Sequence, residues 1–183
     1  MDFVKTTIMG AFLIRHHPSN DNRGSFCRLF CSREFAEFTN GMVASQVNLS
    51  QTSKKGTFRG FHYQFAPAHE YKLVSCIQGQ VHDFALDVRR GSATFLKVFS
   101  CDLVADAPYS LLLPPGVAHG FQSLVDNSAL IYNHSGFYSP EHQGGIRFDD
   151  PRLDVTLPLP VSELSERDAA HPFLGDAFEG IAL

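Results

Sequence analysis

The stretch FRGFHYQ, residues 58–64, has the pattern of a β-strand that carries polar side chains among aromatic ones. Successive side chains of a strand point to opposite faces, so a regular strand would place Arg59 and His62 on different sides. Gly60 lies between them, and a β-bulge at this glycine would turn both side chains to the same side. From this stretch alone His62 stays open between three roles: a core histidine, a metal ligand and the base of an active site.

Eight further stretches share this strand pattern, and turn sequences such as PSNDNRG, KKG, RRGS and PPG separate them. So many short strands with no helical pattern between them predict an all-β sandwich or barrel. Short helices are expected only at SREFAEF (32–38), with Ser32 as N-cap, and at SELSERDAA (162–170). The predicted strands are AFLIR (11–15), SFCRLF (25–30), VASQVNLS (43–50), KLVSCI (72–77), QVHDFALDV (80–88), TFLKVFSC (94–101), SLLL (110–113) and SALIYNHS (128–135).

Composition narrows the classes of function. A chain of 183 residues fits one domain, taken as residues 1–183, and a formal charge of −4 argues against a general nucleic-acid binder. The longest early apolar run, IMGAFLI (8–14), is too short to span a membrane and lacks the flanks of a signal peptide. The four cysteines form no CxxC pair, so reduced thiols in a cytoplasmic protein are expected.

A second polar motif, LPPGVAHGF (113–121), has a Pro-Pro-Gly turn that delivers His119 at the start of the next strand. This arrangement is similar to the second motif of cupin barrels, whose histidines often bind a metal. A metal site would also need several converging ligands, whereas the first motif reads His62-Tyr63-Gln64 and Lys72 follows on the next strand. Because an ammonium group repels a cation, no metal is expected. Lys72 itself stays open between a solvated and a functional lysine, and Tyr132 between a core and a functional tyrosine.

Taken together, the motifs resemble those of the dTDP-4-dehydrorhamnose 3,5-epimerase family over about residues 10–170. Each motif is weak alone, but eight in the same order are specific. They are DNRGSF (21–26), QVNLS (46–50), GTFRGFHYQ (56–64), YKLVSCIQGQVHDFALDVR (71–89), SATF (92–95), LPPGVAHGF (113–121), YNHSGFYSPEHQGGIRFDDP (132–151) and SERD (165–168).

The resemblance implies a cupin-like jelly-roll barrel with a few short peripheral helices, without metal or cofactor. It also implies a homodimer in which the N-terminal strands are exchanged, and a helical C-terminal tail over residues 160–183. Substrates of the family are nucleoside-diphosphate 4-keto-6-deoxyhexoses of deoxysugar biosynthesis. Their C5 and usually C3 centres are inverted through an enolate, and neither a nucleic acid nor a membrane is an expected partner.

The resemblance also assigns roles to residues. His62 matches the base, and Asp168 matches the carboxylate that orients it, with Asp83 as a second candidate for that support. Lys72 matches the cation that stabilises the enolate oxygen, and Tyr132 the acid on the opposite face of the sugar. The residues matched to substrate binding are Arg23, Gln46, Asn48, Arg59, His119, Tyr138, Gln143 and Arg167, with Arg23 a candidate to act in the partner subunit's site.

Three departures from the family pattern leave the substrate open. Arg28 stands where nucleotide-binding members often carry glutamate, and Gln143 where an acidic residue is usual, so the nucleotide stays open between dTDP, GDP and CDP. Asn133-His134 replaces the commoner pair after the tyrosine, so epimerisation at C3 alone or C5 alone stays open as well. The sequence equally leaves open a non-catalytic sugar-nucleotide-binding cupin, a metal cupin and a 3,4-ketoisomerase.

Overall fold

The computed structural model describes residues 1–41 and 43–183, and strands dominate it. One 3-10 turn, Pro140–His142, and two short helices lie at the periphery of the described part. The helices are α1 (Ser32–Thr39) and α2 (Glu166–Ala169). The strands are β1 (Asp2–Lys5), β2 (Phe12–Arg15), β3 (Ser19–Asp21), β4 (Gly24–Phe26), β5 (Gln46–Thr52), β6 (Phe58–Gln64), β7 (Lys72–Gln78), β8 (Gln80–Asp87), β9 (Val98–Val104), β10 (Tyr109–Leu113), β11 (Val117–Ser123), β12 (Ser128–His134) and β13 (Gln143–Gly145).

Two antiparallel sheets form a cupin-like jelly roll. The six-stranded sheet has the order β1-β2-β10-β7-β12-β5, and the five-stranded sheet has the order β13-β6-β11-β8-β9. Strands β3 and β4 pair separately as a hairpin, and every residue from 17 to 26 is exposed. The predicted all-β, cupin-like jelly-roll class is therefore confirmed.

Apolar side chains fill the space between the sheets and also cover their outer faces. Between the sheets, Val74 and Leu130 of the six-stranded sheet belong to one cluster with Val81 and Leu103 of the other. On the outer face of the six-stranded sheet, Phe35 of α1 belongs to a cluster with strand residues. On the five-stranded sheet, Phe58, Phe61 and Phe84 belong to a second cluster, against which the C-terminal segment packs. Because both faces are covered, central strands such as β11 are buried along their whole length.

Most predicted strands are present, but several boundaries differ, most of all in β4, β5 and β9; β5 begins at Gln46 rather than at residue 43. Strand β9 begins at Val98 rather than at residue 94, because residues 92–97 form turns in which the Leu96 amide donates to the Asp87 carbonyl at 2.8 Å. Of SFCRLF only the first two residues lie in β4, and Phe30 instead packs against Phe35 of α1. Strands β1, β3 and β13 were not among the predicted stretches, and the strand expected to start at His119 is β11, which starts at Val117.

Both predicted helices exist, but each differs in detail. Helix α1 has Cys31 at its N-cap and Ser32 as its first helical residue, so the expected Ser32 cap is wrong. Helix α2 covers only four residues, capped by the Ser165 side chain, and most of the predicted helical tail 160–183 is turn or extended chain. No helix in the described residues is long and apolar enough to cross a bilayer.

Candidate active site

A β-bulge in β6 brings the two polar side chains of FRGFHYQ into one cavity. The register between β6 and β11 pairs His62 with His119 but Arg59 with Phe121, so it shifts by one residue at Gly60. Gly60 has φ of 129°, and a Cβ there would lie 2.5 Å from the Gly120 Cα. Only glycine permits this conformation and this close approach. The bulge expected from the sequence is thus present, and Arg59 and His62 both line the cavity.

His62 is held by Asp168, the third residue of α2. The His62 Nε2 lies 2.7 Å from Asp168 Oδ1 and 3.1 Å from the Arg167 Nη2, and the Gly60 amide donates to the other carboxylate oxygen at 3.2 Å. Because the carboxylate lies closer and, when ionised, only accepts hydrogen bonds, Nε2 carries the hydrogen in the neutral ring. The lone pair of the neutral ring is then on Nδ1, for which no described residue supplies a hydrogen-bond partner. That nitrogen is free to act as a base.

The electrostatics of this pair favour a neutral imidazole and an ionised carboxylate. Burial lowers the pKa of His62, the nearby charges of Arg167 and Lys72 lower it further, and Asp168 opposes this shift. Burial acts to raise the pKa of Asp168, but its hydrogen bond and charge interaction with His62, the Gly60 amide and the charge of Arg167 together outweigh burial and bring the value to about 2. A neutral histidine near pH 7 is the form that can remove a proton.

Lys72 begins β7 and reaches the same end of the cavity. Its Nζ donates to the His62 carbonyl at 3.2 Å and lies 3.8 Å from Glu70 Oε1. The residue is only 8% exposed, and burial lowers its pKa while Glu70 acts to raise it. A lysine so enclosed is not a solvated surface residue, so of the two roles that the sequence left open for Lys72 the functional one is retained.

Tyr132 and His119 approach from facing sheets. Tyr132 lies on β12 of the six-stranded sheet, and the edge of its ring meets His119 of β11 at 5.4 Å between centroids. Burial raises the pKa of the Tyr132 hydroxyl well above its usual value, and the charge of Asp83 adds to that effect. The phenol is therefore protonated across the physiological range.

Asp83 makes no contact with His62, so its expected role as a second support for the base is wrong. It lies instead 2.9 Å from the His119 Nε2, and it is fully buried. Burial raises the pKa of this carboxyl, and His119 opposes the shift. His62 and His119 thus each have a carboxylate of their own, Asp168 for His62 and Asp83 for His119.

Most of the residues expected to bind substrate surround the same cavity of about 290 Å³. Tyr138 donates to Gln143 Oε1 at 3.1 Å, and Arg167 donates to the same oxygen at 3.2 Å. Gln46 does not line the cavity; its side chain accepts from the Tyr138 amide at 3.1 Å. The expected residues that line the cavity are Asn48, Arg59, His119, Tyr138, Gln143 and Arg167.

Two predicted arginines lie elsewhere in this chain. Arg23 is on the exposed β3–β4 hairpin, paired with Asp21 at 2.6 Å. Arg28 follows the hairpin and pairs with Glu34 of α1 at 3.1 Å. Neither lines the cavity of its own chain.

The cavity also contains residues to which the sequence assigned no role in the site. Ser50 and Phe121 line it, as do Glu70 and His134, which are 3.0 Å apart. The sequence signal for Glu70 and His134 was their spacing. His134 is two residues after Tyr132 and Glu70 is two residues before Lys72, and in an extended chain side chains two residues apart point to the same side. Within residues 1–41 and 43–183, no group of three or more His, Cys, Asp or Glu side chains is arranged to hold a metal ion.

A jelly-roll barrel with a His–Asp pair, a buried lysine and a protonated tyrosine around one cavity belongs to the class of sugar-nucleotide epimerases, and the comparisons with known proteins agree. The model of the family dTDP-4-dehydrorhamnose 3,5-epimerase matches residues 5–176. The chain is 35% identical over 175 residues to the dTDP-4-dehydrorhamnose 3,5-epimerase of Sinorhizobium fredii, covering 95% of this chain and 90% of the relative.

Solved structures give the same result. The dTDP-4-dehydrorhamnose 3,5-epimerase from Elizabethkingia anophelis superposes with a TM-score of 0.91 at 33% identity, covering 97% of this chain and 98% of that one. A 3′-monoepimerase from Streptomyces bikiniensis, in complex with dTDP-quinovose, gives 0.86 at 29% identity, covering 92% and 85%. The chain belongs to the dTDP-4-dehydrorhamnose 3,5-epimerase family and is an isomerase.

Proposed function

We propose that the protein inverts C5 and C3 of a nucleoside-diphosphate 4-keto-6-deoxyhexose through an enolate, without a cofactor. The observation that carries this proposal is the position of His62 and Tyr132. His62 lies on β6 of the five-stranded sheet and Tyr132 on β12 of the facing sheet, and both line one cavity. A base and an acid on opposing walls are what inversion at a carbon requires.

The first step is removal of a proton from the carbon next to the C4 ketone. The neutral His62 Nδ1 takes the proton and becomes an imidazolium, which the Asp168 carboxylate stabilises. The electron pair of the broken C–H bond moves to the C4 oxygen. The Lys72 ammonium group stabilises this enolate oxygen, and in a cavity with little water that interaction is stronger than it would be in solution.

The second step returns a proton to the other face. The Tyr132 hydroxyl donates to the same carbon, the enolate collapses to the ketone, and the configuration is inverted. His62 then releases its proton and the Tyr132 phenolate regains one, so no other reactant is consumed. The high pKa of Tyr132 keeps the hydroxyl protonated until the enolate forms.

Arginines give the cavity a positive charge that suits a diphosphate. Arg59 and Arg167 line it, and a guanidinium group matches the geometry of phosphate oxygens. We assign the sugar to the end of the cavity near His62 and the nucleotide to the end near Tyr138 and Gln143. A dTDP sugar is the proposed substrate because the family is named for one, and GDP and CDP sugars are to be tested beside it.

Two further properties belong to the same proposal. We propose a homodimer in which the β3–β4 hairpin docks on the partner, because its residues are exposed in the single chain and Phe26 is 77% exposed. Docking of this kind would take Arg23 toward the partner's cavity. We also propose a cytoplasmic location, since all four cysteines carry free thiols, as expected in a reducing compartment.

Incubation with 4-keto-6-deoxy sugar nucleotides in deuterated water tests the function. NMR should show deuterium at C5 and C3 together with inverted product, for one of the dTDP, GDP or CDP forms. His62→Ala should abolish exchange, whereas His82→Ala, which removes a histidine outside the cavity paired with Asp102, should leave it unchanged. Absence of exchange with all three nucleotides would sink the proposal.

A second candidate is inversion at C3 alone. It is favoured by the similarity to the 3′-monoepimerase of Streptomyces bikiniensis. In the same experiment this candidate predicts inverted product with deuterium at C3 and none at C5. A non-catalytic sugar-nucleotide-binding protein would bind the ligand and give no exchange at either carbon.

A further inference from the structure

Glu70 is the one carboxylate among the described residues that line the cavity. The positive charges there are those of Arg59, Arg167 and Lys72. The residues that can titrate are Lys72, His62, His119, His134, Tyr63, Tyr132 and Tyr138. A negative charge in such a cavity repels a diphosphate. A buried carboxylate in this cavity therefore needs a function that compensates for its repulsion of the substrate.

The contacts of Glu70 point to Lys72. One carboxylate oxygen, Oε1, lies 3.8 Å from the Lys72 Nζ, which is an ion-pair distance longer than a hydrogen bond. The other oxygen, Oε2, lies 3.0 Å from the His134 Nδ1. Glu70 is 7% exposed, and Gly136 leaves room for it, because a Cβ at residue 136 would lie 3.3 Å from the Glu70 Cβ.

His134 fixes the carboxylate from the other side. It faces Lys72 in the register between β12 and β7, and its ring stacks on that of Tyr132 at 5.8 Å with an interplanar angle of 18°. Its Nε2 lies 3.4 Å from the Asn48 Nδ2. When that amide donates to Nε2, the hydrogen of the neutral ring is on Nδ1 and is donated to Glu70.

Lys72 requires such a partner. Burial of an ammonium group favours its neutral form, and a neutral amine would not stabilise an enolate oxygen. The charge of Glu70 opposes the effect of burial on the pKa of Lys72. At 3.8 Å the carboxylate does so while the hydrogens of Nζ stay available for the His62 carbonyl and for a substrate oxygen.

We propose that Glu70, held by His134, is a positioning residue that keeps the Lys72 ammonium group charged and aimed at the reacting end of the cavity. The link to catalysis rests on the proposed epimerase function. The effect of Glu70 on Lys72 does not depend on that function, so the proton affinity of Lys72 is measured first, in the absence of any sugar nucleotide.

The test is competitive labelling of lysines in the intact protein with a trace of acetic anhydride between pH 6 and 11, read by peptide mass spectrometry. Only the neutral amine reacts, so the pH of half-labelling reports the proton affinity of Lys72, with exposed Lys97 as internal reference. Glu70→Gln should lower that pH by about one unit or more, a tenfold loss of proton affinity. Glu37→Gln, at an exposed position on α1, should leave it unchanged.

An unchanged half-labelling pH in folded Glu70→Gln would overturn the proposal. If that variant does not fold, Glu70→Asp is used instead, because it keeps the charge but withdraws it from the Lys72 Nζ. It should lower the half-labelling pH by a smaller amount. An unchanged half-labelling pH in Glu70→Asp would equally contradict the proposal. With substrate, Glu70→Gln should move the alkaline limb of kcat/KM to lower pH and leave the acid limb of His62 in place. Failure of turnover in the wild type would contradict the proposed function without affecting the labelling result.

Discussion

At the residue scale, the central unit is the His62–Asp168 pair. The sequence allowed three roles for His62, and the structure narrows them through contacts that no local pattern contains. Asp168 is 106 positions away along the chain, and it reaches His62 because the Ser165 side chain caps a four-residue helix beside β6. Resemblance to the family suggested Asp168, but the contact of Asp83 with His119 required the three-dimensional register.

The pH dependence of activity should report the lowered pKa of His62. In the free enzyme the base is active when neutral, so kcat/KM should be full near pH 7 and fall only at a pH below the ordinary histidine value of about 6.5. Asp168→Asn removes a group that raises the pKa of His62. It should move this acid limb to still lower pH and reduce kcat by roughly 10²–10⁴-fold through lost orientation.

The matched control is Asp102→Asn, which removes the carboxylate 2.6 Å from His82 outside the cavity. Its pH profile should coincide with that of the wild type. An acid limb that stays in place in Asp168→Asn would show that the carboxylate does not act on the base.

At the element scale, the sequence predicted the longer strands and missed three short ones, β1, β3 and β13. Strand β11 was expected only from the Pro-Pro-Gly turn before His119, because VAHGFQS is buried throughout and shows no alternation. Strand β13 has only three residues, two of them glycine, and exists because it pairs with β6. The bulge at Gly60 was predictable because a glycine separates two polar residues that must share a side.

Close packing of β6 on β11 should make Gly60 intolerant of a side chain. Gly60→Ala places a Cβ 2.5 Å from the Gly120 Cα, so the strands must separate and His62 must move. Gly91→Ala is the control, because Gly91 also has a positive φ, of 73°, but nothing within 4 Å, and it lies outside the β3–β4 hairpin. Backbone strain alone costs about 1 kcal/mol or more, and the clash should add about 2 kcal/mol.

Urea unfolding of the two variants measures the difference. Gly60→Ala should lose clearly more unfolding free energy than Gly91→Ala, and it should also lose activity. Equal losses would mean that the β6–β11 approach does not constrain the site.

At the scale of the whole molecule, the two sheets provide the opposing walls that the chemistry needs, and the exposed N-terminal hairpin pairs with no other strand of the described residues. Exposed aromatic surface is unfavourable unless something covers it, and Phe26 projects from that hairpin. The sequence alone could not show what covers this hairpin, because strand patterns do not reveal whether a hairpin packs on its own chain or on another.

Sedimentation equilibrium should therefore give twice the chain mass of 20.3 kDa. Phe26→Ser should weaken the dimer by at least tenfold in its dissociation constant, since a buried aromatic anchor contributes strongly to an interface. Phe173→Ser, a change at another exposed phenylalanine whose ring lies under Arg147, should leave association unchanged. A monomeric wild-type protein at micromolar concentration would contradict the hairpin exchange.

The most direct test of the two-wall mechanism is the stereochemistry of exchange in Tyr132→Phe. After incubation in deuterated water, NMR should find deuterium in the recovered substrate with its original configuration, because His62 still removes the proton and can return a deuteron to the same face. Inverted product should fall by at least tenfold relative to the wild type. Undiminished inversion in Tyr132→Phe would contradict the assignment of the base and the acid to opposite walls.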